Sequence, residues 1–312
     1  MKFFLSTLLI LSCTIESKIF NSQAIVHPEV GKDGMVVTQH YLATDIGHAI
    51  LQKGGNAYDA SIAVAFALAV VLPRAGNIGG GGFMLMHDGV TNKNYSIDYR
   101  EIAPANATKD MYLNADGTVD KKRSTQGALA IGVPGTVYGM WEVHKKFGSL
   151  PWKELIKPAI DLAGNGFKIS PFMADALNGR YKKLGQFDNF KKIFYAEYPV
   201  MMHSKLVQSD LAKTLTIISK KGAAGFYEGE IAELIADYMK KNNGLITKSD
   251  LMNYRPVWRE PIQGSYRDFQ ILTMPPPSSG GIHIIQMLNI LEHYDLVSMG
   301  HNSPRYAALL TE

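Results

Sequence analysis

One cysteine in 312 residues, Cys13, leaves the chain unable to close an intrachain disulfide. The nine histidines form no H-E-x-x-H and have no C-x-x-C to join, so no metal is expected. Excess charge of one sign is also scarce. The formal net charge is +4, and lysines gather no further than pairs such as Lys121–Lys122, Lys191–Lys192, Lys220–Lys221 and Lys240–Lys241. Such pairs read as solvated helix ends, and no basic stripe marks a nucleic-acid partner. Long apolar runs are missing too. The apolar part of the richest one, Ala60 to Leu72, is 13 residues, against the roughly 20 that span a bilayer. Neither G-x-G-x-x-G nor G-x-x-x-x-G-K-[ST] occurs, which argues against a nucleotide cofactor.

What is present is an ordinary globular composition, 46% hydrophobic and 19% charged, enough for a sizeable core. The first residues stand apart. Lys2 precedes an apolar run from Phe3 to Leu11, and Ser22-Gln23-Ala24 offers small residues for cleavage, so residues 1–24 read as a secretory signal. "ILSC" also fits a lipoprotein box that would lipidate Cys13, with bulky Leu11 against it. Export to a periplasm or beyond is expected, with cleavage after Ala24 preferred.

Downstream, helical and extended patterns alternate without repeats. "GMVVTQ" (34–39) predicts a strand, and "YLATDIGHAILQKGG" an amphipathic helix with Ile46, Ala49 and Ile50 on one face and Gly54 as its stop. "NAYDASIAVAFALAVVLP" predicts a buried core helix ended by Pro73. Four glycines, Gly79 to Gly82, then precede "FMLMHD". A phosphate-binding turn leads from strand to helix, and here the order is helix to strand. Close backbone approach is the better explanation.

"FMLMHD", "DGVTNKN" and "YSIDYRE" predict a hairpin ending at Asp98-Tyr99-Arg100-Glu101. The planar guanidinium of Arg100 suits a carboxylate. From the residues alone, a surface ion pair with Asp98 or Glu101 is the preferred reading. Ser278 and Ser279 in "MPPPSSGGIH" are tempting hydroxyls, but G-x-S-x-G and S-x-x-K are absent. Turn chemistry is expected there, with Pro275 to Pro277 stopping a strand and Ser279 capping the following helix. "GVPGTVYGM" predicts a helix start with Pro134 near the first turn. In "HNSPRYAALLTE", Ser303 is an expected N-cap and Pro304 the first helical residue.

Taken in order, "GNIGGGGFM", "IDYREIAP", "GVPGTVYGM" and "MPPPSSGGIH" resemble the successive motifs of the gamma-glutamyltranspeptidases (glutathione hydrolases), and "GFYEGEIAELIADYMKKNNGLITKSDLMNY" resembles an intervening stretch. The resemblance runs from about Gly34 to the last residue. It implies a mixed α/β (α+β) fold, the αββα sandwich of the N-terminal-nucleophile hydrolases, with the large-subunit portion in residues 25–312. It implies cleavage of the gamma-glutamyl bond of glutathione and related amides, with the glutamyl group passed to water, an amino acid or a dipeptide. Arg100 would then be the substrate-binding residue, gripping the glutamyl alpha-carboxylate.

The family's catalytic residue is a threonine freed as a new N-terminus by self-cleavage, its own amine serving as base. Its motif, T-T-H-[YF], occurs nowhere in these residues, so that threonine is expected beyond Glu312 and no catalytic residue is assigned here. The resemblance implies a small subunit from the same precursor as partner, and no cofactor. The last helix reads as cut short, so a truncated large subunit, inactive alone, is expected. A silent glutamate- or gamma-glutamyl-binding protein that keeps Arg100 is the alternative.

Overall fold

The computed structural model describes residues 30–312. The expected signal and Cys13 lie outside the described residues. Residues 30–35 contain no helix or strand, and every described element lies within residues 36–312.

Two consecutive helices begin the helical layer. α1 (Tyr41–Gln52) buries Ala43, Gly47 and Ile50, a stripe at i, i+4 and i+7. Ile46 is half-buried, but Ala49 is exposed, which corrects the expected face. The reason is Gly47: a Cβ there would sit 2.7 Å from side-chain carbons of Val36 and Val64, so the close approach to the next helix is centred on a residue with no hydrophobic signal. Gly54, at φ +86°, follows the helix end as expected.

α2 (Ala57–Val71) starts in a capping box between Asn56 and Asp59 and buries Ile62, Ala63, Phe66, Ala67 and Val70 almost completely. It is the expected core helix. Among the described residues no helix is long and apolar enough to cross a membrane. The predicted strand over 34–39 is absent. Val36 and Thr38 are half-buried while Val37 is exposed, so the period-2 alternation is real, but no described strand pairs with it.

The hairpin is as predicted. β1 (Phe83–Asp88) and β2 (Lys93–Asp98) pair antiparallel, with Phe83 opposite Asp98 and Asp88 opposite Lys93. α3 (Thr136–Phe147) and α4 (Trp152–Asn165) follow, and Trp152 donates its indole N–H to the Ile218 carbonyl at 3.0 Å. Next come β3 (Phe167–Lys168), the short helices α5 (Pro171–Asn178), α6 (Tyr181–Leu184) and α7 (Asp188–Phe194), and β4 (Lys205–Leu206), which pairs with β3. α8 (Ser209–Lys221) packs on α4. α9 (Ala224–Tyr227), α10 (Gly229–Lys241) and α11 (Lys248–Asn253) lead back to the sheet. Of the four lysine pairs named above, three do end helices; Lys121–Lys122 lies in a series of turns.

β5 (Val257–Arg259) then pairs antiparallel with β2, giving sheet order β1-β2-β5. The Lys146 ammonium of α3 lies 4.3 Å from the ring centroid of Tyr95 on β2 and 4.4 Å from that of Trp258 on β5, joining helix and sheet.

β6 (Ile262–Tyr266) and β7 (Phe269–Thr273) form a second hairpin against α12 (Gly280–Leu291). The prolines after Thr273 stop β7, and Ser278 donates its N–H to the Pro275 carbonyl at 3.2 Å, the expected turn. The Ser279 cap needs correcting. Ser279 stands at the N-cap position, but in helical conformation, and its side chain makes no cap bond. α13 (Leu296–Met299) and α14 (Pro304–Thr311) follow, and Ser303 Oγ accepts the Tyr306 N–H at 3.1 Å, the predicted cap.

Candidate functional site

The end of β2 is held from four directions. Asp98 closes the strand opposite Phe83, and the Tyr99 N–H donates to the Gly82 carbonyl at 2.9 Å, continuing the hairpin by one residue. Below the next residues lies Gly81. A Cβ on it would stand 2.5 Å from the Tyr99 carbonyl oxygen and 2.8 Å from the Arg100 Cα and the Glu101 nitrogen, all backbone atoms. Gly82 would meet the Tyr99 ring at 3.1 Å. The packing explanation of the glycines therefore holds where they cross the Tyr99–Glu101 backbone. Gly80 faces only the Asn77 side chain, and Gly79 has nothing closer than 3.6 Å. Gly80 contributes through its backbone instead. Its carbonyl accepts the N–H groups of Gly135 (2.7 Å) and Thr136 (3.0 Å), two of the orphan donors at the start of α3.

From the third side come Gly135 and Gly139 of α3's first turns. A Cβ at Gly135 would overlap the Tyr99 carbonyl and the Tyr254 hydroxyl, and one at Gly139 the Tyr99 ring. The fourth contact is Tyr254, just after α11, whose hydroxyl donates to the Arg100 carbonyl at 2.9 Å. Tyr254 stacks on Tyr227, and the Tyr227 hydroxyl donates to the Pro134 carbonyl at 2.8 Å. Burial pushes the Tyr99 phenol up to about 12. Burial also raises Tyr227 and Tyr254, with the negative charges of Asp98 and Glu101 adding to the rise at Tyr254. These phenols stay protonated near neutrality and act as fixed donors.

Arg100 itself is exposed, with its guanidinium 5.9 Å from the Phe83 ring centroid and, among the described residues, no ion-pair partner. The ion pair with Asp98 or Glu101 that the sequence allows does not form. Asp98 is buried, and its Oδ2 accepts from Arg259 Nε (3.0 Å) and Nη2 (2.9 Å), while Oδ1 accepts the Arg100 N–H at 3.0 Å. A free guanidinium on so constrained a backbone can bind and orient an anion. The cluster supplies no nucleophile paired with a base.

Three of the four sequence motifs thus meet at Tyr99–Arg100. The fourth, around Ser278 and Ser279, packs within the β6–β7–α12 unit, where a Cβ on Gly281 would overlap the Met274 carbonyl. Two contributors, Tyr254 and Arg259, escape sequence reasoning, because only tertiary packing brings them to residues more than 150 positions earlier. An apolar cavity of 630 Å³ between the end of α2 and α5–α7 shares no lining residue with this site. Volume is therefore no guide to where the polar machinery sits.

A family model described as gamma-glutamyltranspeptidase matches residues 43–312. The glutathione hydrolase proenzyme of Escherichia coli (strain K12) is 47% identical over 290 residues, covering 92% of this chain and 50% of that protein. The glutathione hydrolase proenzyme of Bacillus subtilis (strain 168) is 45% identical over 287 residues, covering 91% and 49%. Among solved structures, the Helicobacter pylori gamma-glutamyltranspeptidase superposes with a TM-score of 0.89 at 46% identity, over 91% of this chain and 82% of that one. The chain spans about half the length of these curated relatives, and its fold is that of the N-terminal-nucleophile hydrolases. By sequence and by fold, the chain belongs to the gamma-glutamyltranspeptidase family, as a large-subunit-like region.

Proposed function

We propose that this chain is the acyl-binding portion of a gamma-glutamyltransferase and glutathione hydrolase. The observation that carries the reading is the Arg100 guanidinium, without an ion pair among the described residues and borne on backbone that is held where three family motifs converge. In this reading Arg100 grips the alpha-carboxylate of a gamma-glutamyl compound such as glutathione by a two-point charge-assisted contact and so sets the position of the scissile amide. The glutamyl group then passes to water, an amino acid or a dipeptide. The nucleophile is a threonine outside these 312 residues, which contain no T-T-H-[YF], in a small subunit cut from the same precursor. Its amine takes the hydroxyl proton, so no histidine and no cofactor are required. Residues 1–24 direct export, and residues 25–312 form the large-subunit region.

A precursor that carries these residues ahead of a threonine-bearing section should cleave itself and release nitroaniline from a gamma-glutamyl anilide. Arg100→Ala should lower kcat/KM by at least about 100-fold while leaving self-cleavage intact. Activity that survives the substitution would remove Arg100 from the reading. Because the Arg100 site needs no threonine, a silent gamma-glutamyl-binding role is the second reading. Saturable glutathione binding by the chain alone would favour it.

A further inference from the structure

Two arginines touch one buried carboxylate at the end of β2, Arg259 with its guanidinium and Arg100 with its backbone N–H. Asp98 is buried at the last position of β2 and Arg100 lies two residues on, past the strand and exposed, near enough along the chain for its long side chain to turn back to the carboxylate. Their charges would be expected to meet. Instead Arg259 takes the carboxylate from the neighbouring strand. The register sets Arg259 opposite Ser96 and Asp98 opposite Val257, so the pair is a cross-strand diagonal, within reach of a long side chain. The Ser96 hydroxyl donates to the Arg259 carbonyl at 2.8 Å and fixes the donor strand. Both Arg259 bonds go to Oδ2, and the remaining oxygen is used by the Arg100 backbone N–H at 3.0 Å. The Asp98 side chain is only 9% exposed, so this pair is screened less than one in open water.

We propose that Arg259 is a positioning residue which occupies Asp98 and thereby keeps the Arg100 guanidinium free for an anionic ligand. Asp98 then aims Arg100 through its backbone and does not quench it. That the freed guanidinium serves a glutamyl carboxylate rests on the functional reading above; the pairing itself does not. Without Arg259, the nearest cation on Asp98's own strand end is Arg100, and the expected outcome is collapse of the two into an internal ion pair. Glu101 adds a second nearby carboxylate but has no ion pair among the described residues.

Phenylglyoxal, which modifies free guanidinium groups, reads this directly. The purified chain is kept dilute, each arginine is followed by peptide mass spectrometry, and circular dichroism checks the fold. Arg259→Gln should slow labelling of Arg100 by about fivefold, and Asp98→Asn in the same chain should restore it. Arg259→Lys, which keeps the charge, and Asp98→Asn alone should label Arg100 within about twofold of the parent.

Parent-rate labelling of Arg100 in a folded Arg259→Gln chain overturns the proposal. So does a double variant that fails to recover. If Arg259→Gln does not fold, the other two single variants decide. A several-fold gain of Arg100 labelling in Asp98→Asn means that Asp98 was masking Arg100 all along, and a several-fold loss in Arg259→Lys means that charge on this strand does not keep it free. Failure of glutathione to protect Arg100 from the reagent would count against the functional reading alone.

Discussion

A lysine at position 100 would keep the charge and lose the planar fork. An ammonium is a single point donor, so Arg100→Lys in an active precursor should forfeit the two-point grip on a carboxylate. The expected loss is about 2–4 kcal/mol of transition-state binding, roughly 30- to 1,000-fold in kcat/KM for a gamma-glutamyl substrate. A variant within twofold of the parent would mean that the carboxylate does not meet this side chain. The glycines differ among themselves at the same scale. Gly81→Ala drives a methyl into the backbone of Tyr99 to Glu101, which cannot yield without displacing the strand end. Its cost should reach about 1–3 kcal/mol, the range for overpacking. Gly80→Ala meets the Asn77 amide at 2.8 Å, a side chain free to turn, and Gly79→Ala meets nothing nearer than 3.6 Å. Thermal melts should therefore rank Gly81→Ala well below both, with no nucleotide affinity created or lost. Equal destabilisation at Gly79 and Gly81 would defeat the packing account.

The elements that the sequence reveals are those whose causes are local. The β1–β2 hairpin, the Ser303 cap and the buried α2 all follow from residues within a few positions of one another. The β5 pairing with β2 and the Tyr254 bond to the Arg100 carbonyl have no local cause, which is why Arg259 and Tyr254 go unnoticed. The stretch 34–39 carries a strand's alternation but lacks a described neighbour to make it one. Long-range polar ties are the other feature hidden from a linear reading.

Asp59, on α2, is fully buried and accepts from the Asn56 N–H, from both the hydroxyl and the N–H of Ser149, and from the Leu150 N–H. Asp59→Ala strands these donors, and at about 1–3 kcal/mol per unmet buried group urea unfolding should report a loss of about 3 kcal/mol or more. Asp59→Asn, which keeps an acceptor, should lose less.

Asp250 does the same for the loop after Arg100. It caps α11 through Thr247 and accepts the Ala105 N–H at 2.8 Å. Burial pushes its pKa up, but the bonds from Thr247 and Ala105 outweigh this and hold it below its ordinary 3.8. The folded pKa is the lower one, so the stabilisation is complete above about pH 4 and drains as pH falls through the depressed value. The gap in melting temperature between the parent and Asp250→Asn should stay level from pH 5 to 8 and close below pH 4. A gap that grows on acidification would reverse the assigned sign.

For the molecule as a whole, binding and chemistry are separable. Hydrogen bonds tie Arg100, Asp98, Arg259 and Tyr254 into one corner, and in the proposed reading that corner receives an anion without help from any nucleophile. Orienting a substrate equally in ground and transition states does not lower the chemical barrier. Covalent transfer of this kind needs a hydroxyl and a base within hydrogen-bond reach, and the family supplies both on a threonine whose motif these 312 residues lack. The surface carries a second consequence. On α12, Ile282, Ile284, Met287 and Ile290 are each about half exposed, and Phe269 on β7 is 69% exposed, so this end shows several large apolar side chains to solvent. Exposed apolar surface drives association when nothing covers it. Residues 25–312 purified alone should therefore release no nitroaniline from a gamma-glutamyl anilide above the buffer blank. They should yield no self-cleavage product on a denaturing gel, and they should aggregate at concentrations where an active precursor stays dispersed. A soluble preparation that turned over the anilide, and lost that activity on Arg100→Ala, would place the nucleophile within these residues and end the threonine account for this chain.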